Sequence, residues 1–255
     1  MPYYKKLYPA LLLFLLISCS PDDPHAAGDP YEAGIVLTFD DDYADEWCDA
    51  DEILGAYNWK ATFFVTKYQQ LSQEHKNKIY GLELNGHEIA GHGYNHVNSK
   101  QYVAGKSTER YAKDEIQPMI KAMGKDGFSL RSFSYPYGSR NGRIDTLLLD
   151  YFDIIRGTTY GRYAPQKQAC YYNGSRLVFG LGIDQSYSHA DIKYLKSLMQ
   201  YAKDQNKIVI FYGHKPVEKP SGTHQASMKK LEEICKFANK LGLKYYTASE
   251  LYGLE

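Results

Sequence analysis

The chain has 255 residues, and its 30 basic and 30 acidic side chains cancel to a formal net charge of zero. No basic block stands out, which removes the electrostatic footprint that a nucleic-acid partner needs. The 25 tyrosines supply many flat faces with a polar tip, suited to sugar rings as well as to ordinary core and rim positions.

The chain opens with Lys5 and Lys6 ahead of an apolar run over residues 7–17. That run is shorter than the roughly 20 apolar residues of a membrane span, and a charged start before a short apolar core reads as a secretory signal. It ends in Leu16-Ile17-Ser18-Cys19, which resembles the lipobox of bacterial lipoproteins. The resemblance implies removal of residues 1–18, acylation of Cys19, and a lipid anchor as the only membrane contact. The expected location is the bacterial cell envelope, on the periplasmic or surface face of the outer membrane. Residues 19–33, rich in Pro, Asp and Gly, read as a flexible tether. Residues 34–255 then have the length of one α/β barrel domain. Cys48, Cys170 and Cys235 form neither a disulfide framework nor a zinc ribbon, and read as small core residues.

From Gly34 onward, short apolar runs alternate with segments of helical period. Residues 34–39 read as a buried strand, 43–57 as a helix, 61–65 as the next strand and 72–80 as a polar helix. A third strand lies within 83–92. Residues 107–123 have helical spacing, with Ser107 as N-cap and Gly124 as stop. Residues 133–137 are extended because Tyr135 precedes a proline. Residues 152–155 and 177–179 read as strands, 190–204 as a helix, 208–212 as a strand, 225–241 as a helix and 243–247 as the last strand. One helical turn follows at 249–252. About seven parallel strands alternating with helices in one domain predict an α/β fold, a single distorted (β/α) barrel. Barrels of this kind carry their chemistry at the C-terminal ends of the strands.

Polar residues do follow the strand runs. Asp40-Asp41-Asp42 comes after Phe39, His92 and His96 after the third strand, Pro136-Tyr137-Gly138 after the 133 segment, and His214 after the 208 strand. Two histidines four apart share one face of a helical turn, a spacing that can grip one metal ion. Two histidines and a carboxylate leave a coordination position open to water. Three adjacent aspartates at the end of a buried strand repel one another unless a cation is present, although such a run is also an ordinary solvated turn.

These residues resemble a known family. Thr38-Phe-Asp-Asp-Asp42, His92-Gly-Tyr-Asn-His96, Ser134-Tyr-Pro-Tyr-Gly138 and Phe211-Tyr-Gly-His214 look like four of the five motifs of the polysaccharide deacetylases, carbohydrate esterase family four. The resemblance implies a divalent metal, usually zinc, on Asp41, His92 and His96. It implies Asp40 as general base, His214 as general acid, and the Tyr137 backbone N–H as an oxyanion donor. Asp184 would orient His214. The substrate would be an acetylated carbohydrate, losing an N- or O-acetyl group.

The chain also departs from the family pattern. Asp42 stands at a usual glycine, Ser134 at the arginine that braces the catalytic aspartate, and Tyr212 at a leucine of the acetyl pocket wall. Arg131, Arg140 or Arg156 could replace the missing arginine. The fourth motif usually adds a tryptophan, but Trp47 and Trp59 both lie far upstream. His25, His75, His87, His189 and His224 read as structural or solvent-facing, with His189 a cap for the helix at 190. Two other readings stay open: a carbohydrate-binding lipoprotein of the same fold without activity, and a C–N hydrolase of small amides or imides.

Overall fold

The computed structural model describes residues 31–254; the expected signal, Cys19 and most of the expected tether lie outside the described residues. Seven parallel strands form the barrel: β1 (Gly34–Asp41), β2 (Ala61–Val65), β3 (Glu88–Gly91), β4 (Ser132–Ser134), β5 (Ile154–Thr159), β6 (Leu177–Gly182) and β7 (Ile208–Gly213). Each pairs with the next, and β7 pairs back onto β1 from Gly34↔Ile208 to Phe39↔Gly213, which closes the sheet. A parallel pair, β8 (Lys215–Val217) and β9 (Gln225–Ser227), follows β7. Finally β10 (Lys244–Tyr246) pairs with Gly34–Val36, the part of β1 that β2 leaves free.

Period-two alternation sorts the core. Ile35, Leu37 and Phe39 of β1 face outward into the large cluster shared with the helices, as do Phe63, Phe133, Ile155 and Phe211 of other strands. Val36, Phe64, Ala90, Ile154, Val178, Ile208 and Ile210 form a second cluster inside the barrel. In the inward phase β1 continues to Thr38 and Asp40, β3 to His92, β5 to Arg156 and β7 to Tyr212 and His214. The barrel interior therefore changes from apolar to polar toward the C-terminal ends of its strands.

The helices that cover the outer face are α1 (Ala44–Leu54), α2 (Gln73–Leu84), α3 (Ser99–Gly105), α4 (Thr108–Tyr111), α5 (Gln117–Lys125), α6 (Gly142–Leu149), α7 (Ile192–Asp204) and α8 (Met228–Leu241). Ser72 and Ser107 cap α2 and α4 by accepting backbone N–H bonds. Several boundaries differ from the sequence expectation. The cap of α7 is Asp191, which accepts the Tyr194 N–H at 2.9 Å; His189 is instead buried, 3.0 Å from the Gly182 carbonyl. Residues 225–227 are strand β9 because they pair with Lys215–Val217, so α8 begins at Met228. The helix over 107–123 is broken by a π-turn at Ala112–Ile116, and α5 runs past Gly124 to Lys125. Strand β5 continues to Thr159, past the expected end at 155.

Cys170 and Cys235 are buried free thiols, consistent with core packing. His87 is also structural. It accepts the Ala61 N–H at Nδ1 and bonds Asp51 through Nε2 at 2.8 Å, while Trp59 and Asn85 donate to the same carboxylate.

At the opposite end of the barrel from the histidines, Glu88 is half-buried and accepts from Thr62 Oγ1 (2.9 Å), Ser132 Oγ (2.5 Å) and the Ser249 N–H (2.9 Å). Burial pushes its carboxyl above the ordinary value of 4.5, against those hydrogen bonds. A carboxyl whose pKa is raised by folding contributes fully below its unfolded value and loses that contribution as pH rises through the folded one. Glu88→Gln is therefore expected to flatten the fall in stability between acidic and neutral pH. Glu88→Ala should cost roughly 3 kcal/mol by leaving three donors unpaired around a cavity. Denaturant melts at acidic and neutral pH measure both.

Candidate active site

Asp40 and Asp41 close β1. Asp41 has φ 88, a left-handed conformation rare outside glycine, and both carboxylates line the same cavity at the barrel rim. Asp41 Oδ1 lies 3.1 Å from His96 Nε2 and 3.6 Å from His92 Nε2. Burial alone would raise the Asp41 carboxyl; hydrogen bonds from His92 and His96 outweigh it and hold the group far below the usual carboxylate range.

The segment carrying the two histidines is not a helical turn. Gly93 has φ 84 and His96 φ 59, and a loop brings the imidazoles to a ring separation of 5.0 Å. Glu115, from the π-turn, shapes that loop. Its carboxylate accepts the Asn95 N–H at 2.8 Å and the Asn95 side-chain amide at 2.6 Å, and its carbonyl accepts the Tyr94 N–H at 3.2 Å. The extra residue of a π-turn re-aims a helix face, here toward the histidine loop.

Asp41, His92 and His96 each offer one ligand atom, all within 4.8 Å of one another. His92 Nδ1 is committed to Ser134, 2.9 Å from its carbonyl and 2.6 Å from its hydroxyl, which leaves Nε2 as the lone pair facing Asp41. Two imidazole nitrogens and one carboxylate oxygen, with the tautomer of one imidazole already fixed, fit a divalent cation with an open position.

Asp40 is only 3% exposed. The replacement for the expected third-motif arginine is Arg156, which reaches in from β5 and places Nη2 2.6 Å from Asp40 Oδ1 and 2.5 Å from Oδ2. Arg131 instead pairs with Asp153 at the surface, and Arg140 pairs with Asp145. The Arg156 guanidinium lies over the rings of Tyr212 (4.8 Å) and Phe64 (5.3 Å). A Cβ on Gly180 would come within 3.3 Å of Arg156 Cδ and 3.2 Å of Tyr212, so this glycine makes the slot that both occupy. Ser134, at the usual arginine position, links Asp40 to His92: its hydroxyl is 3.3 Å from Asp40 Oδ1 and 2.6 Å from His92 Nδ1.

Across the cavity, His214 Nδ1 lies 2.5 Å from Asp184 Oδ2, and the His214 N–H donates to Asp184 Oδ1 at 3.1 Å. Burial alone would lower the His214 pKa; the Asp184 hydrogen bond and the charges of Asp40, Asp184 and Asp41 outweigh it and raise the pKa above the ordinary 6.5. Trp47 contributes despite its distance in sequence, donating Nε1–H to the His214 carbonyl at 3.0 Å. Tyr137 sits in the turn Pro136–Gly138 with φ 61, its ring 4.7 Å from that of His96 and tilted by 53°.

All seven residues singled out from the sequence thus converge. Asp40, Asp41, His92, His96, Tyr137 and His214 line one cavity of about 270 Å³, and Asp184 stands behind His214. Asp42 points to solvent. Sequence reasoning missed Ser134, Tyr187 and His224 as site residues. The inward phase of β5, Ile154 then Arg156, was the signal that could have chosen Arg156 from the three arginines.

The rim of a closed parallel (β/α) barrel thus gathers three potential cation ligands, a buried carboxylate and an aspartate-backed histidine. Residues 27–151 match the polysaccharide deacetylase family. Arg156, Asp184 and His214 lie beyond the matched residues, and similar solved structures cover most of the chain. One is the carbohydrate esterase domain of a multidomain xylanase from the hindgut metagenome of Trinervitermes trinervoides (19% identity, 87% of this chain, 90% of that chain, TM-score 0.55). Another is the catalytic domain of a peptidoglycan N-acetylglucosamine deacetylase from Eubacterium rectale (19% identity, 88% and 94%, TM-score 0.53). A third is a family 4 acetyl xylan esterase from Clostridium thermocellum in complex with a cobalt ion (17% identity, 86% and 90%, TM-score 0.53). No curated protein matches the chain.

Removing one member of a buried ion pair strands the other charge, typically at about 3–5 kcal/mol. Arg156→Met should destabilise the fold by an amount in that range, and Arg156→Met combined with Asp40→Asn should recover most of it. Urea unfolding of the two singles and the double variant gives the coupling directly.

Proposed function

We propose that the chain is a metal-dependent hydrolase that removes N- or O-acetyl groups from a carbohydrate polymer or oligosaccharide, of cell-wall or dietary origin, at the bacterial envelope. The observation that carries this reading is the single cavity in which the Asp41–His92–His96 donor set, the Asp40–Arg156 pair and the Asp184–His214 pair meet. The family match over residues 27–151 supports it, as do structural neighbours whose names specify xylan and peptidoglycan substrates. A zinc or similar divalent ion on Asp41, His92 and His96 would supply electrophilic activation of water and of the acyl carbonyl.

The remaining work falls to the chain's own groups. Asp40 is the general base and accepts the proton of the attacking water; Oδ1 is engaged by Arg156 and Ser134, while Oδ2 keeps a lone pair free beside the Arg156 contact. Arg156 holds that carboxylate in one orientation. The Tyr137 backbone N–H donates to the oxygen that gains negative charge as the acyl carbon becomes tetrahedral. His214 enters as imidazolium, its Nδ1 held by Asp184, and delivers the Nε2 proton to the departing nitrogen or oxygen of the sugar. Acetate and a free amine or hydroxyl result.

Acetate release from chitooligosaccharides, acetylated xylan and peptidoglycan fragments, each assayed with zinc and with chelator, tests the reading. Release with zinc that stops with chelator is expected from at least one of them; none from any, with metal bound, overturns it. Asp40→Asn should lower kcat by about 10²–10⁴-fold while bound metal, measured by elemental analysis, stays the same.

Asp184→Asn removes a carboxylate that raises the His214 pKa. The acid then loses its proton at lower pH, so the basic limb of the kcat profile should move toward lower pH. An unmoved limb would assign it to another group.

A further inference from the structure

His224 has no part in the reaction derived above, yet its surroundings are fixed in detail. It sits at the end of the connection from β8 to β9 and lines the same cavity, its ring 4.7 Å from that of His214 at 58°. Its backbone is held from several sides. The Lys215 N–H donates to its carbonyl at 3.2 Å, and the Gln185 N–H donates to the carbonyl of the next residue, Gln225, at 2.8 Å. The Ser186 hydroxyl donates to the Thr223 carbonyl at 2.5 Å. Gln225 Oε1 accepts the N–H groups of Ser221 (2.6 Å) and Gly222 (2.8 Å), tying down the turn that leads to His224.

The imidazole is the exception within this framework. It is exposed, and among the described residues it forms no hydrogen bond. A rigid mount that presents an unbonded donor–acceptor ring to a cavity is a recognition element rather than a packing one.

Asp184, His214 and His224 also lie close enough to suggest a second cation site. Both Asp184 oxygens are already engaged with His214, however, one with Nδ1 and one with the backbone N–H. His214 in turn spends Nδ1 on Asp184, so binding a cation there would break the pair that prepares the acid.

We infer that His224 is a substrate-contact residue on the leaving-group side, where its imidazole holds a ring hydroxyl of the sugar whose nitrogen or oxygen His214 protonates. The inference rests on the deacetylase reading. A group beside the acid is beside whatever the acid protonates. An imidazole carries one donor and one acceptor, which matches a sugar hydroxyl that offers both. An acyl ester whose leaving group lacks a sugar ring has nothing for His224 to hold.

The test compares an acetylated oligosaccharide with 4-nitrophenyl acetate, using the zinc-loaded protein and its His224→Ala, His224→Gln and His224→Phe variants. In His224→Ala the ratio of kcat/KM for oligosaccharide to kcat/KM for aryl acetate should fall about three- to ten-fold, the loss appearing mainly in KM. His224→Gln, which keeps a donor and an acceptor, should recover part of that ratio, and His224→Phe should not. An unchanged ratio, or an equal loss of kcat on both substrates, would overturn the assignment. Failure of the deacetylase reading itself looks different: wild-type protein would then release no acetate from any glycan.

Discussion

A carboxylate placed inside a barrel needs a positive charge within hydrogen-bonding reach, and much of this site follows from how that need is met. Asp40 belongs to the inward phase of β1, and Arg156 belongs to the inward phase of β5 on the far wall. Spanning the interior requires a long side chain, room for it, and apolar faces that tolerate a guanidinium. Gly180 supplies the room, and Phe64 and Tyr212 supply the faces. Since the brace arrives from β5, the equivalent position on β4 can be small. Ser134 occupies it and spends its hydroxyl and carbonyl on His92. With the arginine on β5, β4 is free to orient His92.

The remaining polar groups are held by the same logic of distant support. Glu115 shapes the histidine loop from a π-turn, and Trp47 holds the His214 carbonyl from the first helix. Neither residue enters the cavity, and both fix the backbone from which a reacting side chain projects. Such support is what keeps a catalytic constellation within a fraction of an ångström of its working geometry.

The barrel was legible in the sequence because apolar runs of strand length alternate with helical segments, and because polar residues fall where the strands end. Those two regularities come from burial and from chain direction, which act locally. Boundaries were legible only where a capping side chain marks them, as at Ser72 and Ser107. Where pairing with a remote segment sets the boundary, as for Gln225–Ser227 against Lys215–Val217, the helical period of the neighbouring residues misleads. The histidine pair illustrates a different limit. A spacing of four suggested a helical turn, and the imidazoles do converge, but through two positive-φ residues that spacing does not encode. Arg156 was one of three candidates because β5 was read as ending at 155, one residue short of the side chain that matters. His224 was passed over because its neighbours are loop-forming residues, and only the folded chain brings it to His214.

The pairing of β1 has a consequence for the order in which the molecule assembles. This strand carries both acids, but Gly34–Val36 pair on one side with β7 and on the other with β10. Those partners are separated from it by more than half of the chain, so the contacts that seat β1 are among the most distant in sequence, the kind that form late. All three cation ligands are present once His96 has been synthesised, long before β7 and β10 exist. Before those strands arrive, Asp41 is held near the histidines through β2 alone, whose Val65 pairs with Asp41 on one side and accepts the His92 N–H on the other. The first three strands thus draw Asp41 and His92 together, and the final strand, remote from all chemistry, secures the start of β1 only after the rest of the barrel has been made.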